Sequence, residues 1–188
     1  MWQAWQGNRY RERRIMLLGE SCYDWREDGT LVRPLPNHPI NIVRDAIEGP
    51  PGSSRFMTCL TRAVCGVEWP TTAQSSAAWH SVAFTNYVPV SVGEGAGVRP
   101  TPAAWQQAKD EWFQLLHSLR PKSVIVFGID MWSKMPRTQH YTTDRIQGYD
   151  LADGSIATCY ALVHPSSPRG SLGWRRYADF IREVAGAF

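Results

Sequence analysis

Four short apolar runs, at residues 15–18, 82–85, 123–127 and 158–163, constrain this chain more than any other feature. Each has the length of a strand, and most are rich in β-branched or aromatic residues. Each closes on a Gly, an Asn or a His-Pro pair. Helical patterns lie between them. The clearest begins at Thr101-Pro102, where Thr101 can cap and Pro102 can occupy the first helical position. Trp105, Ala108, Trp112, Leu115, Leu116 and Leu119 then recur with the 3.6-residue period. A C-terminal helix sets Trp174, Tyr177, Ile181 and Val184 on one face, and weaker helices are expected over 40–47 and 56–64. Strands alternating with helices predict an α/β fold: three layers, α/β/α, around a central, mainly parallel four-stranded sheet. The length of 188 residues suits one domain, 1–188.

In such a sheet, ligands bind beyond the carboxyl ends of the strands. The first run is followed by Gly19-Glu20-Ser21-Cys22-Tyr23-Asp24-Trp25, and the second by Asn86-Tyr87. The third leads into Gly128-Ile129-Asp130, and the fourth into His164-Pro165-Ser166-Ser167. Three of the four ends thus bring a carboxylate, an amide and an imidazole towards one rim. That trio suits cleavage of an N-glycosidic bond. A carboxylate steadies the oxocarbenium-like sugar and orients water, and an imidazole hydrogen-bonds the oxygen where the departing base collects charge. An amide can read the edge of a flipped base. The plainer readings are that Glu20 caps a helix following the first strand, that Asn86 forms a turn and that His164 is a loop histidine.

Charge and cysteine usage narrow the classes. The net charge of +3 is too small to establish a polyanionic partner. Lys occurs only at Lys109, Lys122 and Lys134, so most cations are Arg, which either suits phosphate binding or reflects a codon bias towards Arg. Cys22, Cys59, Cys65 and Cys159 show no metal-ligand spacing, so no metal or cofactor is expected. No signal-peptide pattern and no membrane-length apolar run occur, which makes a cytoplasmic protein the expectation.

Gly19-Glu20-Ser21 and His164-Pro165-Ser166 resemble the first and second motifs of the uracil-DNA glycosylase superfamily. Thr85-Asn86-Tyr87-Val88, then Arg99-Pro100-Thr101-Pro102, then residues 120–128 are similar in order and spacing to its iron–sulfur branch. The resemblance thins between Trp25 and Ala83. It implies that Glu20 is the acidic residue of motif one, that Asn86 binds the base and that His164 donates to it. By the same carry-over, Tyr23 walls the pocket and Ser166, Ser167 and Arg169 belong to a DNA-wedging loop. Val90 and Ala108 stand where that branch has cluster cysteines. Ser21 stands where the best-known branch has an aspartate, which leaves Glu20 or, second, Asp24 as the activating carboxylate. Phe56 or Trp25 would stack on the base.

The expected activity is that of a monofunctional DNA glycosylase acting on uracil or an unusual or modified pyrimidine, such as a bulky cytosine of phage DNA. The partner would be DNA, with no membrane, and the state monomeric. No lysine lies near the rim to form a Schiff base, so strand cleavage is not expected. A non-catalytic module binding damaged or modified DNA is the alternative.

Overall fold

The computed structural model describes residues 2–49, 54–95, 97–138, 140–167 and 173–186. In chain order the elements are β1 (Trp5–Gln6), α1 (Tyr10–Arg13), β2 (Ile15–Gly19), β3 (Cys22–Glu27), β4 (Thr30–Val32), α2 (His38–Glu48), α3 (Arg55–Cys65), α4 (Thr72–Trp79), β5 (Val82–Asn86) and β6 (Ser91–Glu94). There follow α5 (Pro102–Leu119), β7 (Ser123–Phe127), α6 (Ile129–Lys134), β8 (His140–Thr143), β9 (Ile146–Asp150), β10 (Ile156–Leu162) and α7 (Gly173–Val184).

The four apolar runs become β2, β5, β7 and β10. They lie side by side and parallel, in the order β5-β2-β7-β10. The α/β class therefore holds, but the sheet is not the four-stranded, mainly parallel one expected. It is seven-stranded and mixed, ordered β1-β5-β2-β7-β10-β9-β8, with β1, β9 and β8 antiparallel to their neighbours. These additions escape a periodicity reading for physical reasons. β1 has only two residues, and β8 and β9 carry polar side chains joined by a tight turn.

Alternation along the strands divides the core. Ile15, Leu17, Phe84 and Phe127 pack against Val43, Leu60, Trp79 and Tyr177, from α2, α3, α4 and α7. Met16, Leu18, Val124 and Val126 pack against Trp112, Leu116, Met131 and Trp132, from α5 and α6. Leu17 and Leu18 are both fully buried, and each such side chain contributes about 2 kcal/mol of apolar transfer. The long helix starts where its cap requires: Thr101 Oγ1 accepts from the Ala104 N–H at 3.2 Å.

After Gly19 the chain enters another strand, not a helix. β3 pairs with β4 and β6 in a separate three-stranded sheet, β4-β3-β6. Glu20 therefore caps no helix, and the plain reading of it as a capping carboxylate is set aside. A short helix absent from the sequence reading, α4, opens with a reciprocal cap between Thr71 and Gln74.

Candidate functional site

Gly19 and Asn86 end their strands in register, and the pairing continues past them. The Tyr87 N–H donates to the Gly19 carbonyl at 2.8 Å, and the Val88 N–H to the Glu20 carbonyl at 2.9 Å. The rim beyond β5 and β2 is therefore fixed by backbone hydrogen bonds, and two clusters of side chains stand on it.

The first cluster is an ion network. Arg99 Nη1 lies 2.7 Å from Glu20 Oε1 and its Nη2 donates to Glu20 Oε2 at 3.0 Å, a two-point clamp. The same Nη2 pairs with Asp130, from the first turn of α6 beyond β7. The Glu20 side chain is only 11% exposed, whereas those of Arg99 and Asp130 are about half or more open to solvent. Burial raises the Glu20 carboxyl above its ordinary pKa. The charge and hydrogen bond of Arg99 pull it back, and Asp130 adds to the rise.

The second cluster is aromatic and amide. Phe56, at the start of α3, stacks on the imidazole of His164 with ring centroids 4.9 Å apart and planes 12° from parallel. Phe127 meets Phe56 edge-on, and Phe84 lies tilted against it. Asn86 is buried next to them. A Cβ added to Gly19 would come within 2.4 Å of Asn86 Oδ1 and 3.5 Å of the Phe56 ring, so glycine is what leaves room for both. Just past the end of β10, the Ser166 N–H donates to His164 Nδ1 at 3.1 Å, and the Ser167 N–H to the His164 carbonyl at 2.9 Å. With Nδ1 accepting, the proton of the neutral ring sits on Nε2, making that atom a donor. Burial lowers the His164 pKa, and the positive charge of Arg99 lowers it further, so the ring is neutral near neutral pH. Arg99 thus acts on both clusters.

The structure brings Asn86, Phe56 and His164 together, and it places Glu20 on the same rim with Arg99. Asp24 is held elsewhere. It lies in the small sheet, where Ser91 Oγ donates to its Oδ1 at 2.5 Å and Arg33 stands 4.0 Å from its Oδ2. Its strand turns it into that sheet, so it is no substitute for Glu20. Trp25 is likewise displaced; it stacks on His38 at 5.7 Å and is 40% exposed. Of the two aromatic candidates, only Phe56 stands in the cluster. Tyr23 is half-buried on β3, between the inward Cys22 and Asp24. Ser21 is half-buried, and its hydroxyl finds no hydrogen-bond partner among the described residues. Burial lifts the Cys22 thiol to about 12, far from a thiolate nucleophile. Arg169 lies outside the described residues.

Arg99 and Asp130 are the residues that sequence reasoning left without a role. Asp130 was within reach, since it stands just beyond the third strand end. Arg99 is a loop residue whose partner is 79 positions away, and no local pattern marks that pairing. Val90 and Ala108, at the positions of the cluster cysteines, pack into the apolar core beneath α5. Neither offers a donor, so these residues do not fit an iron–sulfur cluster. Among the described residues no helix is long and apolar enough to cross a membrane. Comparison with protein-family models and with curated proteins finds no match for this chain.

Proposed function

We propose that this chain is a monofunctional DNA glycosylase that extrudes uracil or a modified pyrimidine and hydrolyses its N-glycosidic bond, leaving an abasic site. The observation that carries the reading is the way His164 is held. Its Nδ1 is engaged by Ser166, so its Nε2–H is a donor, and its ring stacks on Phe56, which with the buried Asn86 amide lies on the same carboxyl rim of the sheet. In the reaction the bond between C1′ and the base nitrogen breaks and its electron pair leaves with the base. His164 Nε2–H donates to the carbonyl oxygen that gathers this charge. Water adds its oxygen to C1′, and its released proton offsets the charge on the departing base. The Asn86 amide, with one donor and one acceptor edge, discriminates the pyrimidine.

Glu20 faces the sugar cation in this scheme. Each of its oxygens gives one lone pair to Arg99 and keeps another for water. Arg99 acts as a positioning residue that fixes the carboxylate and keeps it ionised. Phe56 and His164 stack too closely for a base to slide between them, since two stacking intervals of about 3.5 Å each would be needed. The base therefore lies against the edge of this pair or displaces one ring.

The same Arg99 clamp favours the rival reading, a non-catalytic module for damaged or modified DNA, because a doubly engaged carboxylate is a weak base. One assay separates the two. Duplex and single-stranded DNA carrying uracil, hypoxanthine, 5-hydroxymethylcytosine or its glucosylated form is incubated with the protein, and abasic sites are revealed with hot alkali. Base release that falls about 10²–10⁴-fold in Glu20→Gln and in His164→Ala supports the glycosylase. Binding without release from any substrate establishes the module. Full turnover in both variants refutes the assignment of the site.

A further inference from the structure

A concavity of about 480 Å³ opens at the opposite end of the sheet from the carboxyl rim, by the amino ends of β2, β7 and β10, and its walls carry Arg11, Arg14 and Arg120. We propose that it binds a small phosphomonoester of mononucleotide size, independently of the chemistry proposed at the carboxyl rim.

The backbone is the first observation. Arg14 and Arg120 each end a helix in the left-handed conformation, with φ of 53° and 49°, and their N–H groups return to the Tyr10 and Leu116 carbonyls. Glycine or asparagine takes that conformation with less strain, and an L-residue with a full side chain costs about 1–2 kcal/mol more. The two turns are tied together, since the Lys122 and Ser123 N–H groups both donate to the Arg14 carbonyl, at 2.8 and 3.2 Å. Two arginines at backbone positions that suit glycine thus line one cleft. Stabilisation of a helix C-terminus explains a cation at either place. It does not explain their convergence, nor the third cation, Arg11.

Charge and shape define the ligand. Among the lining residues three arginines face a single carboxylate, Asp153, and His117 adds a further donor. Asp153 accepts from the Ser155 N–H and hydroxyl at Oδ1, which keep it ionised, and Arg120 and Arg14 both act on its charge, so one of the three positive charges is offset and two remain. The surplus matches a phosphate dianion, which arginine grips at two points. Tyr10 and Leu119, both buried, give the cleft an apolar wall for an organic body, and the volume is that of an ordinary small-ligand site. A length of parallel sheet separates the cleft from the rim, so a duplex seated on the rim need not enter it.

The test is calorimetric titration of the full chain with adenosine 5′-monophosphate, ribose 5-phosphate, inorganic phosphate, adenosine and a short oligothymidylate with hydroxyl ends. Both phosphomonoesters are expected to bind one site more tightly than inorganic phosphate, and adenosine not at all. Arg14→Asn and Arg120→Asn keep the turn conformation, and each should weaken binding about ten-fold, with any base release unchanged. Arg11→Gln, on an exposed helical position, gives a smaller loss and guards against a folding artefact in the other two. The proposal is overturned by no binding of either phosphomonoester, by undiminished binding in the doubly substituted chain, or by inorganic phosphate binding as tightly as the nucleotide. It is also overturned if the oligothymidylate displaces the nucleotide from the cleft.

Discussion

At the scale of single residues, Arg99 sets the electrostatics of the rim. It clamps Glu20 and lowers the carboxyl pKa that burial raises, and Asp130 pushes that pKa the other way. A reaction that needs ionised Glu20 therefore has an acid limb above the usual glutamate range. Replacing Arg99 by Gln removes the lowering influence and moves that limb to higher pH, with a loss of about ten-fold at the optimum. Asp130→Asn removes a raising influence and moves the limb to lower pH. Base-release rates against pH for the three proteins check this, and limbs that do not move would show that Glu20 does not govern the reaction. Glu20, Asn86 and His164 were legible in the sequence because each stands at a strand end. Arg99 was not, because its role is made by tertiary approach alone. Phe56 was one of two candidates, and only the placement of α3, which sets it against Phe84, Phe127 and His164, decides between them.

Among the elements, the apolar strands and the long helices were legible because burial leaves its period in the sequence. β1 and the β4-β3-β6 sheet were not, because their pairing relies on backbone hydrogen bonds and on a few contacts distant in sequence. β1 illustrates how little chain such an element needs. Trp5 Nε1 donates to the Trp79 carbonyl at 2.9 Å, and the Gly7 N–H to the Val82 carbonyl at 3.0 Å. Gly7 is there because α4 ends against it. A Cβ at this position would stand 2.2 Å from the His80 carbonyl oxygen, and backbone cannot yield as a side chain can. Gly7→Ala should destabilise the protein by about 2–3 kcal/mol and lower Tm by roughly 5 °C or more. Thermal unfolding followed by circular dichroism measures it, and an unchanged Tm would mean that β1 is not docked as described.

Over the whole molecule, two half-buried histidines tie stability to pH. Burial lowers the pKa of both His38 and His164; Asp45 partly offsets this at His38, while Arg99 reinforces it at His164. In the unfolded chain a histidine takes a proton near pH 6.5, whereas these two take one only at lower pH once folded. Between those limits the unfolded state binds more protons, so stability is lost as pH falls through the window and is fully present above it. Tm should therefore decline as pH falls from about 7.5 through the ordinary histidine pKa, and less steeply in His164→Gln. A flat profile in the parent protein would contradict the burial of both rings.

The way the sheet is finished has a consequence of its own. One margin is closed by a two-residue strand pinned by an indole, and the other by β8, whose register shifts between Tyr141 and Thr143. Neither margin offers the long, flat row of unpaired amides and carbonyls on which a second molecule could add a strand. The parallel centre, whose continuous apolar runs would be the most aggregation-prone part of the chain if uncovered, is kept from acting as a template for intermolecular pairing.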